Sequence, residues 1–192
     1  MSETIKKLLT DNGVIQKGHF LLTSGLHSGL YFEKFMILEN PRISALLCSK
    51  IAMFFSTYTI DKVIGPTIGG AIIAYEVARQ LGTYVGIAEK ESNEKRIVKR
   101  GSSIEKGERI LVVDDVLTTG GSIKATIDAV LQLEGKVTGI SVLIDRSENP
   151  LDFTYPFFAV YKTSVENYTP ENCPLCKKGI PLIRKGGSGK IL

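Results

Sequence analysis

The 192-residue sequence has no tryptophan, only two histidines and three cysteines, and no long hydrophobic run. Three cysteines with one close pair do not make a disulfide framework, so a reducing compartment is expected. No apolar stretch approaches the roughly 20 residues that a bilayer-spanning helix needs, and the N-terminal segment has no signal-peptide core. The sequence therefore predicts a cytoplasmic protein without a membrane partner.

Aromatic residues are also scarce, at 8%, and no run of basic residues is interleaved with them, which argues against a nucleic-acid partner. The net charge of +4 suits a small anionic ligand. The length and the 43% hydrophobic content predict a single domain over 1–192. Within it we expect an N-terminal helix and hood over 1–40, an α/β core over 41–165 and a cysteine-containing tail over 166–192.

Short β-branched runs alternate with segments of helical hydrophobic spacing. The runs are nearly continuous in apolar residues, which is typical of parallel strands covered by helices. The predicted fold class is therefore α/β, with an open, mostly parallel sheet flanked by helices and a small N-terminal hood. The predicted helices are 2–12, 42–57, 70–81 and 122–134, and the predicted strands are 62–65, 84–88, 109–113, 139–144 and 157–161.

The segment "RILVVDDVLTTGGS", residues 109–122, passes from a predicted strand into two aspartates and a Gly-rich turn. We expect Asp114 and Asp115 just after the strand, at the carboxyl edge of the sheet. The hydroxyls, the glycine N–H groups and the next helix N-terminus favour a phosphate. The carboxylates need hydroxyl donors or a cation, and a phosphorylated ribose with Mg²⁺ supplies both. An isolated Asp-Asp is commonly a helix cap, but the complete string favours this functional reading.

This motif resembles the phosphoribosyl pyrophosphate (PRPP) site of type I phosphoribosyltransferases. Residues 18–38, "GHFLLTSGLHSGLYFEKFMIL", resemble the N-terminal signature of orotate phosphoribosyltransferases, and "GPTIGGAIIAYEVARQLG" resembles their pyrophosphate loop and following helix. A C-terminal "CPLC" is similar to a bacterial branch of that family. The resemblance implies an Mg²⁺-dependent transferase that joins orotate to PRPP, giving orotidine 5'-monophosphate and pyrophosphate in pyrimidine biosynthesis.

The resemblance also assigns roles to residues of this chain. Asp114 and Asp115 would hold the ribose and favour its cation, and Arg146 would present its planar guanidinium to the orotate carboxylate. Many family members carry a lysine near the positions of Thr23 and Gly69, which this chain lacks. The implied PRPP-binding residues are Gly65, Pro66, Thr67, Gly69, Gly70, Lys90, Arg96, Asp114, Asp115, Thr118, Thr119, Gly120, Gly121 and Ser122. The implied orotate-binding residues are Tyr31, Phe32, Thr118 and Arg146.

The segment "EKESNEKRIVKRG", residues 89–101, is polar and rich in cations. By itself, such a run is most often a solvated loop. The resemblance identifies it as a lid that closes over the leaving pyrophosphate and is shared between the subunits of a homodimer. The expected catalytic residues are Asp114, Asp115, Lys90 and Lys95, with Arg96, Lys99 and Arg100 as further lid candidates.

The tail segment "CPLCKKG", residues 173–179, has the form of a metal knuckle, and Cys173 and Cys176 provide half of a tetrahedral zinc site. A second pair of ligands could come from the partner subunit. The alternatives are a redox disulfide and a tail without a present role. His19 and His27 have no metal-spaced partner in the sequence, so hydrogen-bonded structural histidines are expected.

Two rival functions stay open at the level of the sequence. The first is a phosphoribosyltransferase for another purine or pyrimidine base. The second is a PRPP-sensing regulator without activity, although the single short N-terminal helix leaves little room for a helix-turn-helix unit.

Overall fold

The computed structural model describes residues 2–92, 95–98, 103–147 and 153–185. Contacts between Cα atoms divide the chain into two compact units, and the expectation of one domain over 1–192 stays a prediction. Unit 1 joins Met1–Met36 to Ser164–Leu192, and unit 2 is Ile37–Thr163. Among the described residues, no helix combines the length and the apolarity that crossing a bilayer requires.

The elements follow one another in an alternating order through the middle of the chain. The helices are α1 (Ser2–Asp11), α2 (Phe35–Leu38), α3 (Pro41–Phe54), α4 (Gly69–Leu81), α5 (Gly121–Gln132) and α6 (Pro174–Lys177), with a 3-10 turn at Pro170–Asn172. The strands are β1 (Ile15–Leu21), β2 (His27–Phe32), β3 (Lys62–Pro66), β4 (Tyr84–Lys90), β5 (Arg96–Val98), β6 (Arg109–Leu117), β7 (Lys136–Asp145), β8 (Phe157–Lys162), β9 (Asn167–Tyr168) and β10 (Ile183–Arg184).

Unit 2 contains a six-stranded sheet in the order β5-β4-β3-β6-β7-β8. Every neighbouring pair is parallel except β4 with β5, which are antiparallel. Helices α3, α4 and α5 pack against this sheet. The predicted α/β class with a mostly parallel sheet is therefore confirmed.

The central strands of unit 2, β3, β6 and β7, are buried along most of their length because helices pack against the sheet. Ile64, Ile110 and Val112 are fully buried, together with Ile140 and Val142 of the neighbouring strand. Burying one such side chain contributes about 1.5–3 kcal/mol. This core holds the carboxyl ends of the central strands in fixed positions.

Local signals set the ends of the helices in unit 2. The Asn40 side chain accepts hydrogen bonds from the N–H groups of Arg42 and Ile43, and Pro41 occupies the first turn of α3. Proline is preorganised for that position and lacks the N–H that would need a partner there. At the C-terminal end of α4, Gly82 adopts a left-handed conformation with φ 68°, and its N–H donates to the Ala78 carbonyl.

Unit 1 contains a four-stranded sheet in the order β10-β1-β2-β9. The central hairpin of β1 and β2 is antiparallel, β10 lies parallel to β1, and β9 lies antiparallel to β2. The buried apolar side chains of unit 1 include those of Leu9, Val14, Phe20 and Phe32. The tail thus supplies both edge strands of the hairpin's sheet. Each edge strand is only two residues long, which is why the sequence pattern did not reveal it.

Candidate active site

The order of the strands locates the candidate site in unit 2. The neighbouring strands β3 and β6 pair in parallel, from Lys62 with Ile110 to Ile64 with Val112. The chain continues from β3 to β4 on one side and from β6 to β7 on the other. Because the chain leaves β3 and β6 in opposite directions, the loops at the carboxyl ends of these two strands diverge. The crevice between such loops is where ligands bind in α/β sheets. The loops concerned connect β3 to α4 and β6 to α5.

A cavity of about 170 Å³ occupies the loop between β6 and α5. Its lining consists of Asp114, Val116, Leu117, Thr118, Thr119, Gly120, Gly121, Ser122 and Ile123. A larger cavity of about 530 Å³ is lined by residues such as Asp61, Thr83 and Glu108, which precede β3, β4 and β6. That cavity lies at the amino ends of the strands, the edge that ligands of such sheets do not use.

The turn from β6 into α5 has the geometry of an anion cradle. Gly120 has φ 79°, a conformation that favours glycine, and it precedes the first residue of α5 without a side-chain cap. The first N–H groups of a helix have no partner within the helix. Together with the hydroxyls of Thr118, Thr119 and Ser122, they form a site that suits a phosphate.

Asp114 and Asp115 lie within β6 and not after its end, which corrects the predicted end at Val113. Asp114 pairs with Val142 of β7, and the ladder continues to Leu117. Both aspartates are buried, with 7% and 4% of their surfaces exposed. The N–H of Asp115 donates to Asp114 Oδ1 at 2.8 Å, and that of Val116 donates to Asp115 Oδ1 at 2.6 Å. Because the carboxylates accept these backbone donors, a charged pair is compatible with a continued strand.

The loop between β3 and α4 presses against the two aspartates. A Cβ atom on Gly69 would lie 1.7 Å from Asp115 Oδ2, and one on Gly70 would lie 3.1 Å from Asp114 Oδ1. A Cβ atom on Gly65 would lie 2.0 Å from the Gly70 carbonyl oxygen. The loop therefore has no room for a lysine side chain at position 69, which accounts for the glycine there.

Arg96 links the predicted lid to the anion cradle. β4 and β5 form an antiparallel hairpin in which Lys90 pairs with Arg96. The Arg96 guanidinium donates to the Ala88 carbonyl at 3.1 Å and to Ser122 Oγ at 2.8 Å. Burial lowers the pKa of Arg96, and the nearby Asp114 carboxylate opposes this shift. A half-buried cation thus lies beside the loop that we predict to bind phosphate.

The other lid cations are positioned differently. Lys95 Nζ lies 2.8 Å from a Glu91 carboxylate oxygen, and both side chains are largely exposed. Lys90 is exposed at the end of β4. Lys99 and Arg100 lie outside the described residues. Among the lid residues that the structure describes, Arg96 thus donates a hydrogen bond to the 118–122 loop.

Arg146 follows β7 directly beside the start of the same loop. Its N–H donates to the Leu117 carbonyl at 3.0 Å. The preceding Asp145 is 2% exposed and accepts hydrogen bonds from the N–H and the hydroxyl of Ser147. The backbone of Arg146 is therefore fixed next to Thr118, the other predicted orotate-binding residue of unit 2.

The predicted orotate-binding aromatics, Tyr31 and Phe32, belong to unit 1. Phe32 is 8% exposed, within the core of that unit. Tyr31 is half-buried, with its ring centroid 5.5 Å from that of Phe20 and Lys185 Nζ 5.8 Å from its centroid. Their proposed contact with orotate stays a prediction.

Cys173 and Cys176 lie against two residues that the sequence analysis did not connect with them. Ligand atoms of His19, His27, Cys173 and Cys176 all lie within 4.8 Å of one another. The two histidines were expected to be structural because their spacing matches no metal motif. The two histidines lie on neighbouring strands of one hairpin, and the pairing of those strands brings them together. A predicted hairpin would have been the sequence signal for this contact.

The α/β fold, the crevice between the loops after β3 and β6, and the anion cradle beside two carboxylates define the class of protein. The model of the phosphoribosyl transferase domain matches residues 36–170. The protein is 47% identical over 184 residues to the orotate phosphoribosyltransferase of Caldanaerobacter subterraneus subsp. tengcongensis, with 96% of each chain covered. It is 37% identical to that of Thermotoga maritima, covering 96% of this chain and 98% of the relative. The chain therefore belongs to the orotate phosphoribosyltransferase family.

Solved structures support the same fold. The orotate phosphoribosyltransferase of Aeropyrum pernix superposes with a TM-score of 0.67 at 24% identity, over 82% of this chain and 93% of that one. An adenine phosphoribosyltransferase from Thermoanaerobacter pseudethanolicus superposes with a TM-score of 0.61 at 20% identity, over 70% of this chain and 88% of that one. At these identities the likeness concerns the fold alone.

Proposed function

We propose that this chain transfers the phosphoribosyl group of PRPP to orotate, giving orotidine 5'-monophosphate and pyrophosphate in pyrimidine biosynthesis. The observation that carries the proposal is the identity of 47% over almost the whole chain to an orotate phosphoribosyltransferase. The buried aspartate pair next to an anion cradle supports it, because this is the site that a phosphorylated ribose requires.

Each part of the site has a role in this proposal. The N–H groups and hydroxyls of 118–122 bind the 5-phosphate, and Asp114 and Asp115 bind the ribose hydroxyls. Substitution at the anomeric carbon builds positive charge on the ribose ring, which two buried carboxylates stabilise. The 65–70 loop and Arg96 receive the pyrophosphate, whose growing negative charge the guanidinium offsets. Lys90 and Lys95 are the proposed catalytic cations of the lid.

We assign orotate recognition in unit 2 to Arg146 and Thr118; the roles that the family resemblance gives to Tyr31 and Phe32 stay predictions. A guanidinium forms two parallel hydrogen bonds to a carboxylate, the group that sets orotate apart from uracil. The fixed backbone of Arg146 next to Leu117 supports this role. The acidic ring nitrogen of orotate needs no strong general base.

Mg²⁺ is proposed to enter bound to PRPP. Carboxylate and phosphate oxygens are the ligands that this ion prefers, and the chain offers two buried carboxylates beside the anion cradle. When bound, the ion neutralises the charge of the diphosphate. The chain's own residues hold the ribose through its hydroxyls and its 5-phosphate, so that the anomeric carbon faces the incoming base.

We further propose a cytoplasmic homodimer that shares its lids. Ile68, Ile72 and Tyr75 lie along the start of α4, next to the pyrophosphate loop, and are 71%, 39% and 63% exposed. A row of apolar side chains at helical spacing is typical of a face that a second subunit covers. Sedimentation velocity should give the mass of a dimer for the wild type, and Tyr75→Glu should shift the protein towards the monomer.

The test of the activity is the loss of orotate absorbance with PRPP and Mg²⁺, beside identical reactions with uracil, hypoxanthine and adenine. We expect turnover of orotate alone, abolished by EDTA and restored by excess Mg²⁺. Turnover of a different base would contradict the assignment of orotate. No turnover of any base, with PRPP still bound, would favour a PRPP-sensing regulator.

A further inference from the structure

Four metal-ligating side chains meet inside unit 1, outside the proposed active site. They come from three separate segments: His19 from β1, His27 from β2, and Cys173 and Cys176 from the α6 turn. His19, His27 and Cys173 are 1%, 5% and 0% exposed, and Cys176 is at the surface. Because buried polar groups need partners, two imidazoles and two thiols at a mostly buried site require an interaction that satisfies all four.

Irregular backbone features bring these side chains together. The register of β1 with β2 shifts between Lys17 and Phe20, which is a β-bulge. Bulges redirect side chains, and His19 and Phe20 are accordingly both buried although they are consecutive. Cys173 precedes α6, and the turn after α6 closes through a hydrogen bond from the Gly179 N–H to the Cys176 carbonyl at 2.9 Å.

Three nitrogen–sulfur distances within the cluster match those around a tetrahedral ion. With Zn–S bonds of about 2.3 Å and Zn–N bonds of about 2.0 Å, neighbouring ligand atoms in a tetrahedron are about 3.3–3.8 Å apart. His19 Nε2 lies 3.5 Å from Cys173 Sγ and 3.7 Å from Cys176 Sγ. His27 Nδ1 lies 3.3 Å from Cys176 Sγ. The two imidazole nitrogens are 2.9 Å apart, so an ion needs to separate them by only a few tenths of an ångström.

A further hydrogen bond orients His19 as a ligand. Its Nδ1 lies 2.7 Å from the Ile180 carbonyl oxygen. A carbonyl only accepts, so Nδ1 carries the proton and Nε2 keeps its lone pair towards the cysteines. A metal-bound histidine usually donates its second N–H to an oxygen in this way, which fixes the tautomer and the ring.

We propose that His19, His27, Cys173 and Cys176 bind one Zn²⁺ ion, with all four ligands from a single chain. Two thiolates and two imidazoles favour zinc over Mg²⁺, which prefers oxygen ligands. Four protein ligands leave no open position, so the site is structural and separate from the transferase chemistry. The partner subunit, which the sequence left as a source of the second ligand pair, is not needed.

A bound zinc ion would stabilise the two edges of the unit 1 sheet, where the strands are short. β10 pairs with β1 through two residue pairs, and β9 pairs with β2 through two. Ladders of this length contribute little by themselves. A zinc ion that joins both hairpin strands to the turn between β9 and β10 would hold the tail in place. It would also fix the hairpin that carries Tyr31 and Phe32.

Metal analysis of the full-length protein tests the proposal. The protein is produced in medium with added zinc and dialysed against a weak chelator. We expect about one zinc per chain in the wild type, as in a closed site of this ligand type. Cys176→Ser and His27→Gln should lower the affinity for zinc by at least about 100-fold in chelator competition. Cys48→Ala is the matched control, because Cys48 is a buried cysteine of unit 2, and it should keep the wild-type zinc content.

Cobalt substitution provides a readout that does not depend on variants folding. The wild-type protein, stripped and reloaded with Co²⁺, should show the strong visible bands of a tetrahedral ion and near-ultraviolet thiolate charge-transfer bands. The proposal is overturned if the reduced wild-type protein fails to bind equimolar zinc, or if Cys176→Ser binds it as well as the wild type. It is also overturned if the Co²⁺ spectrum is octahedral, or if mass spectrometry finds a Cys173–Cys176 disulfide in protein purified under reducing conditions. None of these readouts uses orotate turnover, so the zinc site and the proposed transferase activity can fail independently.

Discussion

Replacement of Gly69 by alanine is the most direct test of the packing between the 65–70 loop and the aspartate pair. The added Cβ would lie 1.7 Å from Asp115 Oδ2, whereas real Cβ contacts stay beyond 3.0 Å. The loop or the carboxylate must therefore move by about 1.3 Å, and misplacement of a reacting group by about 1 Å can cost roughly 100-fold in rate. We expect kcat/KM for PRPP to fall about 100-fold, equivalent to about 2.7 kcal/mol.

The direction of the change in activity distinguishes a steric clash from an effect of helix propensity. Gly69 is the first residue of α4, and alanine in a helix is favoured over glycine by up to about 1 kcal/mol. Propensity alone thus predicts an unchanged or more stable protein with normal activity. The matched control is Gly29→Ala, where the nearest heavy atom to the added Cβ is Leu175 Cδ1 at 3.8 Å.

Steady-state kinetics at varied PRPP, with orotate saturating, would measure the effect, and thermal melting of each variant would verify folding. Gly29→Ala should keep wild-type kcat/KM. Gly69→Lys, which adds a longer side chain to the same Cβ, should be at least as impaired as Gly69→Ala. Wild-type kcat/KM in Gly69→Ala would refute the inferred contact between the loop and Asp115.

Three further predictions follow from contacts of unit 2. Asp114→Asn removes one of the two charges that we propose to face the ribose and should lower kcat about 100-fold in the orotate assay; a change below about threefold would contradict its role. Arg96→Lys loses the forked contact with Ala88 and Ser122 and should raise KM for PRPP about tenfold to 100-fold, the value of a charged hydrogen bond, while Arg79→Lys, at an exposed pair with Glu76, should leave KM unchanged. Hydrogen bonds from the Arg109 guanidinium and from its backbone N–H lower the pKa of Asp61 from 3.8 to about 2. Since the folded-state pKa is the lower one, this stabilisation is present above about pH 4 and disappears as the pH falls through about 2. The pair is partly exposed, so its contribution is under about 1 kcal/mol, and urea unfolding of Asp61→Asn should show a correspondingly weaker loss of stability between pH 4 and 2.

The sequence was sufficient to predict the parallel sheet because buried strands and helices carry different periodicities. The predicted strand 62–65 corresponds to β3 at Lys62–Pro66, and the predicted helix 70–81 corresponds to α4 at Gly69–Leu81. The end of β6 was predicted wrongly, because a charge pair normally marks the end of a buried strand. Here backbone donors and the adjacent glycine loop accommodate the carboxylates, so the strand continues to Leu117.

The candidate site was only partly predictable for a related reason. Residues 114–122 are contiguous, so one motif identified the whole anion cradle. The contact of Arg96 with Ser122 depends on how β5 folds back along β4, which charge pattern alone does not determine. Likewise, His19 and His27 meet the cysteines only through the pairing of β1 with β2 and the path of the tail. Local patterns do not encode such long-range contacts.

The composition of unit 1 from the two ends of the chain has a consequence for synthesis on the ribosome. The hairpin of β1 and β2 is translated before unit 2, whereas β9, β10 and both cysteines of the tail are translated after it. Unit 2, as one continuous stretch, can complete its core in between. During that interval both edges of the nascent hairpin are uncovered and open to pairing with other chains. Unit 1 can therefore close only after the whole of unit 2 has been synthesised.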